Sequence, residues 1–186
     1  MPVNKQILTS TPFGSVALLW SRFNGAPKVV RILLSKPGSS AVDQAAGLYA
    51  DARPGSCREI DAVAAAIREF LAGKDVAFPL DLAALAERPA FQQAVLRAEH
   101  AIPRGSVSTY GLIARHIGNP KGTRAVGNAL ATNPFPLIVP CHRAVRSDGS
   151  LGGFQGGPSM KRALLEREGV PFDKAGRVIV PKFQYS

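Results

Sequence analysis

Cysteine is scarce: only Cys57 and Cys141 occur in 186 residues. Two distant cysteines exclude a disulfide framework and make a reducing, intracellular setting the expectation. They equally exclude a zinc site of the paired-cysteine type. Long hydrophobic runs are missing too. The most apolar stretch, residues 16–20 (VALLW), is far too short to cross a bilayer. The opening residues MPVNK lead into no secretory signal, repeats and low-complexity segments are absent, and a soluble, cytoplasmic protein is expected. Acidic residues are few, 13 against 23 basic ones, leaving a formal net charge of +10.

What is present reads as globular. Apolar residues make up 46% and charged residues 19% of the chain, enough for one large or two small domains with real cores. The charge is uneven. Residues 1–88 hold 10 basic and 8 acidic side chains, whereas residues 89–186 hold 13 and 5. A surface of that kind suits a polyanion, although charge alone is equally compatible with a basic protein that binds none.

The first half alternates in hydrophobicity. Residues 6–9, 15–20 and 29–34 predict strands, separated by turns at 12–14 and 25–27. After a loop near 37–40, residues 59–71 predict a helix with Ile60, Val63, Ile67, Phe70 and Leu71 on one face. No catalytic constellation stands out there. The second half predicts short helices. Pro89 suits a first helical position, and Phe91, Val95 and Ala98 continue one face. Ser108 or Thr109 can cap the next helix, and Thr123 can cap another over 124–131. Two short helices around the Gly118-Asn119-Pro120 turn make a helix-turn-helix candidate. In its second helix Ala125, Val126, Ala129 and Leu130 predict a buried stripe, opposite Arg124, Gly127, Asn128 and Ala131. Small residues behind one arginine allow close approach to a nucleic-acid backbone, or equally to a neighbouring helix. The nearby Arg115 and Lys121 favour nucleic acid.

Cys141 stands beside His142 in the stretch PLIVPCHRAV. It can be a buried filler, or a nucleophile whose thiolate is favoured by His142, Arg143 and Arg146. A nucleophile needs a base, and the base needs an orienting group. Glu168 qualifies by position. The apolar face Met160, Ala163, Leu164 of the last predicted helix, capped by Ser159, reaches Glu168 one turn later, where the helix dipole disfavours a carboxylate. Either a buried histidine partner or simple exposure in water accounts for it. Between the two lies a glycine-rich loop, residues 148–158, that can line a pocket with Phe154 as a stacking surface, or act only as a linker.

These segments together are similar to the methylated-DNA–protein-cysteine methyltransferases, also called O6-alkylguanine-DNA alkyltransferases. The resemblance runs through VSTYG (107–111), GNPK (118–121), RAVG (124–127), NP (133–134), PCHR (140–143) and LEREG (165–169), and only loosely through TPFG (11–14). It implies an α+β protein. A small N-terminal α/β, ribonuclease-H-like domain (1–88) would precede a mostly helical, winged-helix-like domain (89–186) carrying the helix-turn-helix. The implied function is repair of O6-alkylguanine, and of O4-alkylthymine, in double-stranded DNA by irreversible alkyl transfer to Cys141.

The same resemblance supplies roles. The helix of Arg124, Ala125 and Gly127 would enter the minor groove, with Arg124 filling the stack left by the flipped base. Tyr110 would rotate the nucleotide and hydrogen-bond the base. Cys141 would be deprotonated through a water by His142, itself held by Glu168, while Asn133 braces the turn. Carbonyls near Cys141 and Ala144 would read the base's amine, and Asn119 and Ser147 would meet the DNA backbone. No cofactor, metal, membrane or obligate protein partner is implied, and a monomer is expected. Ala144, Phe154 and Gln155 depart from the common pattern, the last two leaving the tolerated alkyl size open. The competing readings are a damage-binding module, which Cys141 argues against, a Cys–His hydrolase, and a helix-turn-helix regulator.

Overall fold

A computed structural model describes all residues, Met1–Ser186, as a mixed α+β protein that divides into two compact units. The first comprises residues 1–85 and the short segment 134–138; the second comprises 86–133 and 139–186.

In the first unit β1 (Asn4–Leu8), β2 (Val16–Phe23), β3 (Ala26–Leu34) and β4 (Arg53–Pro54) form one sheet in the order β3-β2-β1-β4. Pairs β1–β2 and β2–β3 are antiparallel, and β4 runs parallel to β1. The hairpin turns at Asn24-Gly25, both with positive φ, as a two-residue connection between right-twisted strands requires. Of residues 25–27, expected to turn, only Gly25 does so; Ala26 and Pro27 begin β3. Pro27 is tolerated there because β3 is an edge strand and its missing N–H costs no ladder bond. Residues 16–21 of β2 are all buried, so its apolar run reflects a strand covered on both faces. α1 (Ala41–Leu48) packs Ala41 and Ala45 onto Ala17, Leu19 and Leu33. α2 (Arg58–Leu71) packs against β3 with Ile60, Val63, Ile67 and Phe70 buried.

The second unit opens with α3 (Ala90–His100), whose buried stripe is Val95, Leu96, Ala98 and Glu99. β5 (Ser108–Thr109) leads directly into α4 (Tyr110–His116), with the Thr109 hydroxyl accepting from Leu112 N–H as the cap. α5 (Thr123–Ala131) packs on α4 and α3. It begins at Gly122 with no side-chain cap, so Thr123 does not serve as one. A 3₁₀ turn, Cys141–Arg143, runs into β6 (Ala144–Val145), which pairs parallel with β5. That pairing sets Thr109 and the start of α4 alongside the residues after Cys141. α6 (Pro158–Arg167) starts with Pro158 behind Gly157, not with a Ser159 cap, and Glu168 closes it. The core of the unit gathers Val107, Val145, Leu165, Val170 and Val178. No helix is long and apolar enough to cross a membrane.

Candidate active site

Cys141 follows Pro140 into the 3₁₀ turn, and its side chain is only 7% exposed. That residual surface opens into a cavity of about 380 Å³, within the size range of small-ligand sites. Cys141 and Asn133 line it together with Gly127, Leu130 and Ala131 of α5 and Tyr110 of α4. The loop Gly152-Gly153-Phe154-Gln155 supplies the facing wall. Gly152 is required there: its φ is +67°, and a Cβ would stand 2.6 Å from the Tyr110 hydroxyl oxygen.

Asn133 donates to the Val139 carbonyl at 3.2 Å, tying the chain just after α5 to the residues that lead into the turn. Its amide also hydrogen-bonds the Cys141 sulfur and favours the thiolate. Burial works against that and pushes the thiol up to about 11. The resting group is therefore a thiol, and ionising it at neutral pH needs a base.

His142 is completely buried, and its Nε2 lies 2.9 Å from Glu168 Oε1. The same carboxylate accepts Arg143 Nε at 2.9 Å and Arg143 Nη2 at 2.8 Å, a forked pair. Arg143 Nη1 donates to the Ile102 carbonyl at 2.6 Å. Burial would raise Glu168, but the hydrogen bonds from His142 and Arg143 outweigh it and hold the carboxyl at about 2. An ionised carboxylate can only accept, so Nε2 of His142 carries the proton and Nδ1 is its basic nitrogen. Burial keeps His142 below the usual imidazole range, so it is neutral at pH 7. Arg143, expected from the sequence to favour the thiolate directly, is instead committed to Glu168.

The buried cation that acts on Cys141 is Lys161, which sequence reasoning does not find. It is fully buried and donates to the Ala144 carbonyl at 2.6 Å and the Gly153 carbonyl at 3.2 Å. It thereby ties β6 to the pocket loop. The available signal was its place on the Leu164, Leu165, Glu168 face of α6. Ala144 is also fully buried and is not among the residues lining the cavity; its carbonyl accepts from Lys161.

Phe154 meets the His142 ring edge-on at 6.1 Å, and Gln155 lies beside it in the wall. Burial pushes the Tyr110 phenol up to about 12, so it remains a hydrogen-bond donor. On α5, Arg124, Asn128 and Ala131 are exposed. Ala125 is exposed as well, not part of the buried stripe, which is Val126, Ala129 and Leu130. Asn119 is exposed in the turn between α4 and α5 and packs on Gly122. Ser147 borders a second depression with Arg115, Thr123 and Arg146, next to Tyr110. His, Cys, Asp and Glu side chains form no group able to hold a metal.

A family model described as the DNA-binding domain of 6-O-methylguanine DNA methyltransferase matches residues 90–170. Over 107 residues the chain is 45% identical to a methylated-DNA–protein-cysteine methyltransferase of Methanothermobacter thermautotrophicus, covering 58% of this chain and 60% of that protein. The chain thus matches somewhat more than half the length of this curated relative. Its fold is similar to the crystal structure of Mycobacterium tuberculosis O6-methylguanine methyltransferase, with a TM-score of 0.66 and 30% identity over 89% of this chain and 92% of that one. It is also similar to the structure of the M. tuberculosis protein OGT in complex with DNA, with a TM-score of 0.67 and 30% identity over 90% and 92%.

Proposed function

The chain belongs to the methylated-DNA–protein-cysteine methyltransferase family, and on that basis we propose that it transfers the alkyl group of O6-alkylguanine in DNA irreversibly to Cys141. The observation that carries this reading is the buried thiol at the floor of a cavity, with a neutral histidine, itself fixed by a carboxylate, next to it in the chain.

The chemistry follows from these groups. His142 Nδ1 takes the thiol proton, through a water, and Glu168 stabilises the imidazolium that forms. The thiolate attacks the alkyl carbon, forming S–C while C–O6 breaks. The released electron pair leaves on the base, which gains a proton and departs as guanine. Tyr110, still a phenol, hydrogen-bonds the base as charge develops. The thioether is stable, so one protein repairs one lesion, and no cofactor enters because the damaged DNA is the alkyl donor.

A reactive carbon inside a duplex is out of reach of a buried sulfur, so the nucleotide must flip. The exposed face of α5, small at Ala125, Gly127 and Ala131, suits close contact with the minor groove, and Arg124 at its start can fill the vacated stack. Asn119 and Ser147 flank this face and serve the phosphate backbone. The α4–α5 pair with β5 and β6 supports the winged-helix-like reading of the second unit. The order β3-β2-β1-β4, with β4 parallel to β1, supports the ribonuclease-H-like reading of the first. We extend the substrate to O4-alkylthymine and take the working form to be a monomer, with domains divided near residue 88.

Cys141→Ser tests the assignment. The variant should still bind lesion-bearing duplex but acquire no mass from it. Continued transfer in that variant would place the nucleophile elsewhere.

A further inference from the structure

The parallel pair β5–β6 ends with Thr109 opposite Val145. The next residue on each chain, Tyr110 and Arg146, therefore leaves the sheet beside the other. These two residues line both the Cys141 cavity and a neighbouring depression of about 510 Å³. The backbone of Arg146 is fixed at both of its polar groups. Its N–H donates to the Ser150 carbonyl at 2.8 Å, and its carbonyl accepts from Gly149 N–H at 3.0 Å.

The guanidinium of Arg146 is uncommitted. Arg143, three residues earlier, is forked onto Glu168. Arg146 is exposed and closes no ion pair or side-chain hydrogen bond within the protein. Arg115, the second cation of the depression, is likewise exposed and unpaired. The one acid there, Asp148, accepts from the Ser150 N–H at 3.0 Å and the Ser150 hydroxyl at 2.7 Å, which hold it in its own turn. Thr109, Thr123 and Ser147 add hydroxyl groups to the lining. Two free guanidinium groups against one hydrogen-bonded carboxylate, with hydroxyl donors around them, suit a phosphate.

A nucleotide whose base enters the cavity leaves its sugar at the rim and its phosphates outside. The wall shared by the cavity and the depression is where base and backbone would part. Tyr110, a neutral phenol, can give one hydrogen bond there; Arg146 brings a full charge and a fork that matches two phosphate oxygens.

We propose that Arg146 is a DNA-positioning residue: together with Arg115 it grips a phosphate of the flipped nucleotide in the depression, and so holds the base in the cavity against Cys141. The proposal rests on the repair reading above and adds to it the residue that couples the DNA backbone to the cavity. The grip closes only when the base is in the cavity, so Arg146 favours the flipped state over the stacked one. It thus differs from a cation that meets any duplex.

The experiment measures binding of duplex carrying O6-methylguanine, and of the same duplex undamaged, across a salt series. The proteins are Cys141→Ser and Cys141→Ser with Arg146→Gln added. On the lesion duplex the added substitution should weaken binding roughly fivefold near 0.15 M salt. It should also lower the slope of log Kd against log salt by about one, the counter-ion of a single phosphate. On the undamaged duplex the slope should stay as it was. An equal fall in slope on both duplexes would make Arg146 a general backbone cation and overturn the proposal. Weaker binding without a change of slope, the mark of a merely structural effect, would overturn it as well. With Cys141 restored, Arg146→Gln should slow transfer from duplex far more than reaction with the free alkylated base, and equal slowing would contradict the grip. Failure of the repair reading is distinct: wild type would then leave the methyl group on the lesion duplex at every salt concentration. Failure of this proposal alone leaves transfer by wild type intact.

Discussion

Replacing Glu168 with glutamine removes the charge on which three hydrogen bonds converge, from His142 Nε2 and from Arg143 Nε and Nη2. Two losses follow. The first is stability. Glu168 sits at about 2 against an ordinary 4.5, a difference equivalent to about 3 kcal/mol of folding free energy near neutral pH. Leaving the Arg143 guanidinium buried without its partner costs roughly 3–5 kcal/mol on the same scale. For a chain of this length a loss near 3 kcal/mol lowers the melting temperature by roughly 6–12 °C. The second loss is catalytic. Without the carboxylate the imidazolium is unsupported, and single-turnover transfer should slow by roughly 10²–10⁴-fold.

The pH dependence separates the two states of the carboxyl. Because the folded carboxyl is depressed, its contribution is fully present above pH 4.5 and disappears as pH falls toward 2. Wild type should therefore lose stability across that acid interval, whereas Glu168→Gln should be flatter there. Thermal unfolding from pH 2 to 7, with transfer rates at pH 7 measured well below the variant's melting temperature, gives both numbers. A variant with wild-type melting temperature and wild-type rate would refute the role assigned to the His142–Glu168–Arg143 cluster.

Arg124→Ala should slow repair in duplex DNA far more than reaction with the free alkylated base; equal slowing of both would remove Arg124 from base flipping. Gly152→Ala places a Cβ 2.6 Å from the Tyr110 oxygen at a φ of +67°, a strain of about 1–3 kcal/mol. It should cut the transfer rate by displacing Tyr110 or the pocket loop, and an alanine variant of unchanged rate would show that wall to be unimportant.

Much of the site was legible in the sequence because its signals are local. Cys141 and His142 adjoin, Thr109 precedes a helical face in a capping position, and Glu168 interrupts the apolar spacing of α6 where a carboxylate needs a reason. The carboxylate indeed lies 2.9 Å from His142 Nε2. What the sequence did not convey depends on long-range placement. Arg143 looked like a cation for the thiol, but its fork is bonded to Glu168. Lys161 and Glu99 read as ordinary polar residues of amphipathic helices, although each falls on the buried side of its own helix. Ala125 has helical spacing compatible with the core, yet Val126, Ala129 and Leu130 already fill that face. In the first unit, the three main strands were visible from their apolar runs. The two-residue β4 was not, since its pairing with β1 is set by the sheet edge and not by its own sequence. α1 escapes notice for a different reason: it is short and presents only two buried alanines.

The decisive measurement is the intact mass and peptide map of the wild-type protein after mixing with excess duplex carrying O6-methylguanine. One methyl group per molecule is expected, located on Cys141, with guanine restored in the DNA and no further turnover. Tight binding to the lesion without any mass change, or repeated turnover by an unmodified protein, would overturn irreversible transfer to Cys141.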